Sequence, residues 1–145
     1  MNLRICTIAF VLLSMIACNN SKVNQTKESA FNDLYELSEM SLLMEDLHRF
    51  YKDKRDLVTE NQAIGELPKD LDKIYYAEMT DGFERNELLR NFSDVFVNNV
   101  NLLHNSDSQN KVQLYNNMVN SCIACHKSEV GCIGPIPRIK KLLIQ

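Results

Sequence analysis

Residues 107–127 read DSQNKVQLYNNMVNSCIACHK, and they predict a helix because apolar residues recur every three or four positions. Ser106 and Gln109 have the spacing of a capping box, which predicts a helix start near residue 107. One side of this helix is expected to hold Tyr115, Met118, Val119, Cys122 and His126. A helix with one such face is covered by other elements, so the segment predicts a helical bundle.

Three further helices are predicted before this one. The first runs from about Glu28 to Gln62, and Gly65 and Pro68 end it. A shorter helix covers Leu71 to Met79, and a third begins near Asp81, which has a Glu three positions later. The apolar stripe of the third helix is Leu89, Phe92, Phe96, Val100 and Leu103. The predicted fold class is all-α, a four-helix bundle that is irregular because its second helix is short.

Residues 122–126, within the last helix, read Cys-Ile-Ala-Cys-His. Two thiols three positions apart lie on one helical turn, where they can add to the two vinyl groups of a haem. His126 follows directly, so its imidazole can bind the iron from the side of the tether. The motif therefore predicts one covalent haem c, with Cys122 and Cys125 as the attachment residues and His126 as an iron ligand.

The same thiol spacing also occurs in zinc half-sites and in redox dithiols. A zinc site would need further ligands, and Cys132, His48 and His104 are the only other candidates after residue 18. A redox dithiol usually follows a strand in a βαβ unit, and no such pattern is present. Haem attachment is the favoured interpretation.

The N-terminus predicts export. A basic start over residues 1–4 precedes an apolar run over residues 5–16, which is shorter than the roughly 20 residues that span a bilayer. Residues 15–18, Met-Ile-Ala-Cys, resemble a bacterial lipobox, so residues 1–17 are expected to be a lipoprotein signal peptide and Cys18 the lipid anchor. The alternative is ordinary cleavage nearby, with Cys18 unmodified. Export fits the haem motif, because c-type haem is attached outside the inner membrane.

Residues 18–27 are polar and predict a flexible tether, which leaves residues 28–145 for the haem-binding bundle and its C-terminal tail. Residues 1–17 contain one Arg and no acidic residue, so the rest of the chain has 15 basic and 19 acidic residues and a formal charge of −4. That charge argues against a nucleic acid as partner.

The chain resembles the class II cytochromes c, the family of cytochrome c′, over roughly residues 28–130. The resemblance rests on Cys122, Cys125 and His126, on their position near the C-terminus and on the predicted helix count. It implies a four-helix bundle with one haem on the C-terminal helix. Members often form dimers through helix one and its neighbour, so a homodimer is among the expected partners.

The chain is also similar, more narrowly, to small lipoprotein cytochromes. The shared segments are Leu43-Met44, Thr80-Asp81 and the Gly-Pro-Ile-Pro-Arg-Ile-Lys-Lys tail of residues 134–141. Class II cytochromes commonly have an aromatic and a basic residue soon after the His, whereas residues 127–131 here read Lys-Ser-Glu-Val-Gly. The tail is expected either to fold back over the haem edge, offering positive charge to propionates or to an acidic partner, or to be solvated.

The sixth position on the iron decides the chemistry. Met40, Met44 and His48 are spaced by four and share a face of helix one, so each is a candidate ligand. Met44 is preferred, because the lipoprotein resemblance centres on Leu43-Met44 and because it is central in the stripe. Met40 is second, and His48 would give bis-histidine ligation. The alternative is that the methionines only fill the core.

Two functions follow from these alternatives. With Met ligation, the protein is expected to be a membrane-anchored lipoprotein on the periplasmic side that carries single electrons between redox partner proteins. With an open iron, it is expected to be a cytochrome c′-like protein that binds NO or CO. An enzyme is not expected, because no paired carboxylates, activated nucleophile or phosphate loop is apparent.

Overall fold

The computed structural model describes residues 36–107 and 109–145, whose regular structure is entirely helical. The long helices are α1 (Glu39–Thr59), α2 (Glu87–His104) and α3 (Lys111–Lys127); a 3₁₀ helix (Leu71–Tyr75) precedes α2, and a short α4 (Ile136–Lys140) follows α3. The all-α class is confirmed, as three main helices packed together. The second predicted helix is a single 3₁₀ segment, so four long helices are not present in these residues.

The predicted signal peptide (residues 1–17), lipid anchor (Cys18) and tether (residues 18–27) lie outside the described residues. No helix among those described is long and apolar enough to cross a membrane.

Helix α1 begins later than predicted. The helix was predicted to run on from Glu28, but residues 36–38 are not helical, so the prediction is wrong at these three positions. Residues 28–35 are not described. Ser38 is the N-cap: its hydroxyl accepts a hydrogen bond from the Ser41 N–H at 3.2 Å and also lies 2.8 Å from the Thr80 hydroxyl. The helix ends at Thr59, before the predicted Gln62, because Asn61 turns the backbone into the left-handed region at φ 57°.

The segment between α1 and α2 is mostly turns. Arg85 donates to the carbonyls of Ile74 at 2.8 Å and Ala77 at 2.7 Å, so a side chain satisfies acceptors that a longer helix would have paired.

The predicted helix start at Asp81 is also wrong. Gly82 has φ 85°, and α2 is capped instead by Asn86, whose side-chain oxygen accepts the Leu89 N–H at 2.9 Å.

Helix α3 begins at Lys111 rather than near residue 107, and it ends at Lys127 as predicted. Its first backbone bond runs from the Leu114 N–H to the Asn110 carbonyl at 3.0 Å. The Lys111 ammonium donates to the Gln62 carbonyl at 3.0 Å, which ties the start of α3 to the end of α1.

The core forms where α3 packs against both α1 and α2. Its most completely buried side chains are Tyr51, Val58, Val100, Leu103, Tyr115, Met118 and Val119. The Tyr115 hydroxyl donates to the Tyr51 carbonyl at 2.9 Å, so the polar end of this buried ring is satisfied. The predicted apolar faces of the third and last helices are confirmed at Val100, Leu103, Tyr115, Met118 and Val119.

The tail after α3 is part of the packed domain. Ile139 and Leu142 are buried in the core. The Asn116 amide donates to the Ile144 carbonyl at 2.8 Å, and its oxygen accepts the Ile144 N–H at 2.9 Å. This reciprocal pair fixes the tail along α3.

Leu103→Ala should lower the free energy of unfolding by about 2–5 kcal/mol, because it opens a cavity at a side chain with no exposed surface. Leu42→Ala makes the same change at a residue on α1 that is 50% exposed. It should alter the free energy of unfolding by at most about 0.5 kcal/mol. Urea unfolding followed by circular dichroism measures both. Equal losses in the two variants would contradict the packing of α2 described above.

Candidate functional site

A largely apolar cavity of about 260 Å³ lies among α1, α2, α3 and the tail. Aromatic side chains of the α2 region contribute to its lining, among them Phe83, Phe92 and Phe96. Every candidate iron or haem residue from the described part of the sequence lines this one cavity, namely Met40, Met44, His48, Cys122, Cys125 and His126. The tertiary fold therefore brings α1 and the end of α3 to the same space.

The two motif thiols are on the last turns of α3. Cys122 and His126 are four residues apart and so lie above one another on the helix, with Cys125 on the same turn as His126. The Cys122 thiol donates to the Met118 carbonyl at 3.5 Å. Burial raises the pKa of Cys122 to about 12 and that of Cys125 to about 11, so both are neutral thiols at pH 7. The attacking thiol of a redox dithiol commonly has a lowered pKa, and these two thiols differ from that pattern.

The His126 ring is fixed by a backbone carbonyl. Its Nδ1 lies 2.7 Å from the carbonyl oxygen of Cys132. A carbonyl can only accept, so Nδ1 carries the hydrogen and the neutral ring keeps its lone pair on Nε2. This is the arrangement of a metal-binding histidine, whose second ring nitrogen commonly donates to a carbonyl or carboxylate.

The turn after α3 approaches the motif backbone very closely. The Cys125 carbonyl accepts hydrogen bonds from the Ser128 N–H at 3.0 Å and the Ser128 hydroxyl at 2.7 Å. A Cβ on Gly131 would lie only 2.6 Å from the Cα of His126 and would also clash with the Cys125 carbonyl. Glycine is therefore required at 131. Sequence reasoning missed this role, although a glycine five residues after the motif histidine was a visible signal.

The candidate sixth ligands on α1 differ in burial. Met40 is buried, whereas Met44 and His48 are half-buried. Burial lowers the pKa of His48, and the nearby Arg138 guanidinium lowers it further, so its neutral form is favoured. These environments are compatible with ligation by any of the three side chains.

Two further methionines, which the sequence analysis did not consider as ligands, line the cavity. Met79 precedes α2, and its sulfur accepts a hydrogen bond from Arg85 at 3.7 Å. Met118 is on α3, one turn before Cys122. Met79 could have been suspected from its place directly before the Thr80-Asp81 segment.

The other predicted residues have separate positions. His104 lies away from the cavity lining, with Nδ1 3.1 Å from the Gly65 carbonyl oxygen and Nε2 3.3 Å from the Tyr51 hydroxyl. Cys132 is exposed, and its sulfur lies 3.8 Å from His126 Nδ1. Over residues 36–107 and 109–145, no group of three or more His, Cys, Asp or Glu side chains is arranged to hold a metal ion.

An ion pair crosses the rim of the cavity. Arg138, on α4, donates from Nη1 to Glu45 of α1 at 2.9 Å, and Nη2 donates to the second carboxylate oxygen. This hydrogen bond lowers the pKa of Glu45. Both side chains are nearly half exposed, so the pair is worth about 0–1 kcal/mol. Its main effect is to hold the tail against α1 at the edge of the cavity.

Comparisons with models of protein families, with curated proteins and with solved structures find no match to this chain.

Gly131→Ala should lower the free energy of unfolding by about 1–3 kcal/mol, because the added methyl group must push the turn away from Cys125 and His126. Gly134→Ala is the matched control: its methyl group meets nothing within 4 Å, so a change within about 0.5 kcal/mol is expected. Urea unfolding curves give both values. Similar stability of the two variants would contradict the close approach at Gly131.

Proposed function

We propose that this protein is an exported monohaem c-type cytochrome that is anchored through Cys18 and carries single electrons between partner proteins at the periplasmic face of a bacterial membrane. The observation that supports it best is the shared cavity wall of Cys122, Cys125 and His126. A bound haem supplies an iron that cycles between its ferric and ferrous states. Class II cytochromes c are the proposed family, because the motif ends the last long helix of a helical domain.

The thiols would hold the cofactor. Cys122 and Cys125 would each be joined to one vinyl group by addition of the S–H bond, with the sulfur on one carbon and the hydrogen on the neighbouring carbon. No external oxidant or reductant is consumed.

His126 would bind the iron through Nε2. The Cys132 carbonyl accepts the Nδ1 hydrogen, so it orients the ring and increases the basicity of the coordinating nitrogen. The close packing of Gly131 against His126 fixes the turn that provides this carbonyl. The ring would therefore be oriented mainly by a backbone atom of the turn, with the Cys132 sulfur also 3.8 Å from the same nitrogen.

The lining of the cavity suits an apolar group. Its volume of about 260 Å³ is slightly below the ~300–1,000 Å³ of most ligand sites, and its lining is mostly apolar. An apolar, water-poor surrounding is one of the factors that set the potential of a haem. The exposed edge that electron exchange requires would lie at the mouth of the cavity, near Arg138 and Glu45.

Met44 remains the proposed sixth ligand. It lines the cavity from α1, the helix that faces the motif across this space, and it is not fully buried in the core. Met118 shares a helix with His126, and the Met79 sulfur is hydrogen-bonded to Arg85, so both are weaker candidates. Met40 and His48 are the alternatives on α1.

The second candidate function is gas binding by an iron without a sixth protein ligand. The observation that favours it is the aromatic lining by Phe83, Phe92 and Phe96, which would admit uncharged diatomic molecules such as NO or CO. The two functions differ in the sixth ligand alone, so one spectroscopic experiment separates them.

The exported, purified protein should give a pyridine haemochrome spectrum typical of two thioether bonds, and the haem should stay on the chain in acidified acetone. Cys122→Ala and Cys125→Ala should each lose one bond and most of the covalent haem. Cys132→Ser is the matched control and should keep full haem content, because that thiol is exposed and outside the motif. Absence of haem from the unaltered protein would overturn the proposal.

Met44→Ala should convert a six-coordinate, low-spin iron into one that binds carbon monoxide after reduction, because the thioether that occupies the sixth position is lost. Met40→Ala, one turn earlier on the same face, should keep the low-spin spectrum. Absorption spectra of the reduced proteins with and without carbon monoxide give the result. A response of the unaltered protein to carbon monoxide would select the gas-binding function, and an unchanged Met44→Ala spectrum would exclude Met44 as the ligand.

A further inference from the structure

A second depression in the surface lies between the last turns of α1 and the end of the tail. It is open to solvent, has a volume of about 490 Å³ and shares no lining residue with the cavity of the candidate site. Its basic side chains are Arg55 of α1 and Lys140 and Lys141 of the tail. Among the described residues that line it, Asp56 is the only acidic one. We call it the basic groove.

The tail divides its positive charges between two surfaces. Arg138 lines the cavity and is paired with Glu45, whereas Lys140 and Lys141 line the basic groove. A group held in the cavity, such as the haem proposed above, is therefore matched by Arg138 and not by the two lysines. The lysines belong to a separate site.

The cations of the basic groove have no carboxylate partner. In the described part of the chain, the ion pairs engage other basic residues. No carboxylate oxygen of that part, the chain end included, lies within 4 Å of a charged nitrogen of Arg55, Lys140 or Lys141. Like charges that share a groove without a counter-ion repel one another, so an anion bound between them lowers the electrostatic energy.

The half-buried Arg55 has donors that the fold does not use. Its Nη2 donates to the Leu143 carbonyl at 3.3 Å, and its buried Nε has no hydrogen-bond partner. A guanidinium presents its N–H groups as a fixed fork, which matches two oxygens of one phosphate or carboxylate. A buried donor without an acceptor is uncommon in folded proteins, and a bound oxyanion is one source of the acceptor.

We propose that the basic groove binds a phosphomonoester group, either free in solution or on a lipid headgroup. Its three cations less the Asp56 carboxylate leave an excess of two positive charges. A phosphomonoester carries roughly −1.5 to −2 at neutral pH and offers three oxygens, so it matches this excess better than a single carboxylate does. The Thr59 hydroxyl also lines the groove but donates to the Arg55 carbonyl at 3.0 Å, so the cations provide the attraction.

The test measures how far inorganic phosphate protects Lys140 and Lys141 of the full-length exported protein from acetylation by an N-hydroxysuccinimide ester. Peptide mass spectrometry gives the labelling rate at each lysine. At the end of a phosphate titration, both should label at least about threefold more slowly than in sodium chloride of equal ionic strength. Lys69 and Lys127 are exposed outside the groove and should label equally in the two salts.

Variants separate a built site from general attraction to the tail. Arg55→Gln should remove most of the protection, and Arg55→Lys should keep only part of it, because the charge remains but the fork is lost. Lys69→Gln is the matched loss of one positive charge outside the groove and should keep full protection.

Lys140→Gln changes an exposed side chain, so it should weaken the protection of Lys141 without altering the urea midpoint. It therefore tests the site even if Arg55→Gln disturbs the tail. Full protection in both Arg55→Gln and Lys140→Gln would overturn the proposal.

The source of the phosphate group is identified with the protein in phosphatidylcholine vesicles, with and without phosphatidic acid and without free phosphate. Slower labelling of Lys140 and Lys141 only with phosphatidic acid identifies a lipid headgroup, with Lys69 as the internal reference. Protection by free phosphate alone identifies a soluble phosphomonoester. Unchanged labelling in phosphate and in both kinds of vesicle would overturn the proposal. The vesicle experiment rests on the anchor proposed at Cys18, whereas the phosphate titration needs neither anchor nor haem, so the two proposals fail separately.

Discussion

Burial of one face of α3 is the interaction on which the rest of this fold depends. Tyr115, Met118 and Val119 have almost no exposed surface, and each fully buried side chain of this size contributes roughly 1.5–3 kcal/mol. The same helix contacts α1, α2 and the tail, so these elements are positioned relative to it. Cys122 and His126 continue that face by one and two further turns. The candidate site is therefore an extension of the core, and its geometry is as fixed as the packing of α3.

The turn after α3 orients the His126 imidazole at the end of this packed helix. It leaves the helix through Ser128, passes at Gly131 so close to His126 that no side chain fits, and presents the Cys132 carbonyl to Nδ1. A free histidine can place its hydrogen on either nitrogen. Here the Cys132 carbonyl accepts the Nδ1 hydrogen, and Nε2 is left with the lone pair. The proposed cytochrome function thus depends on a backbone path as much as on the three motif side chains.

Much of the fold was predictable because apolar periodicity reports which face of a helix is buried. The apolar stripes of α2 and α3 were identified correctly at Val100, Leu103, Tyr115, Met118 and Val119, as were the end of α3 at Lys127 and the irregular second element. The helix starts were not. Near α2, the spacing of Asp81 and Glu84 predicted a cap, but Gly82 and the Arg85 bonds to Ile74 and Ala77 occupy that segment, and Asn86 caps the helix instead. Helix caps depend on which local hydrogen bonds compete for the same backbone groups. They can also involve residues far away in the chain, as in the contact between the Ser38 and Thr80 hydroxyls, which sequence spacing does not reveal.

The sequence by itself determined the helical class, the buried faces and the chemical nature of the motif, because spacing along a helix fixes which side chains share a face. For the same reason, it placed the candidate ligands Met40, Met44 and His48 together on one face of α1. Only the tertiary structure decided that this set lines one cavity with Cys122, Cys125 and His126, that Met79 and Met118 are there too, and that Arg138 closes the rim with Glu45. These relations join residues that are distant in the chain. They follow from how the helices pack, which periodicity within a single helix does not specify.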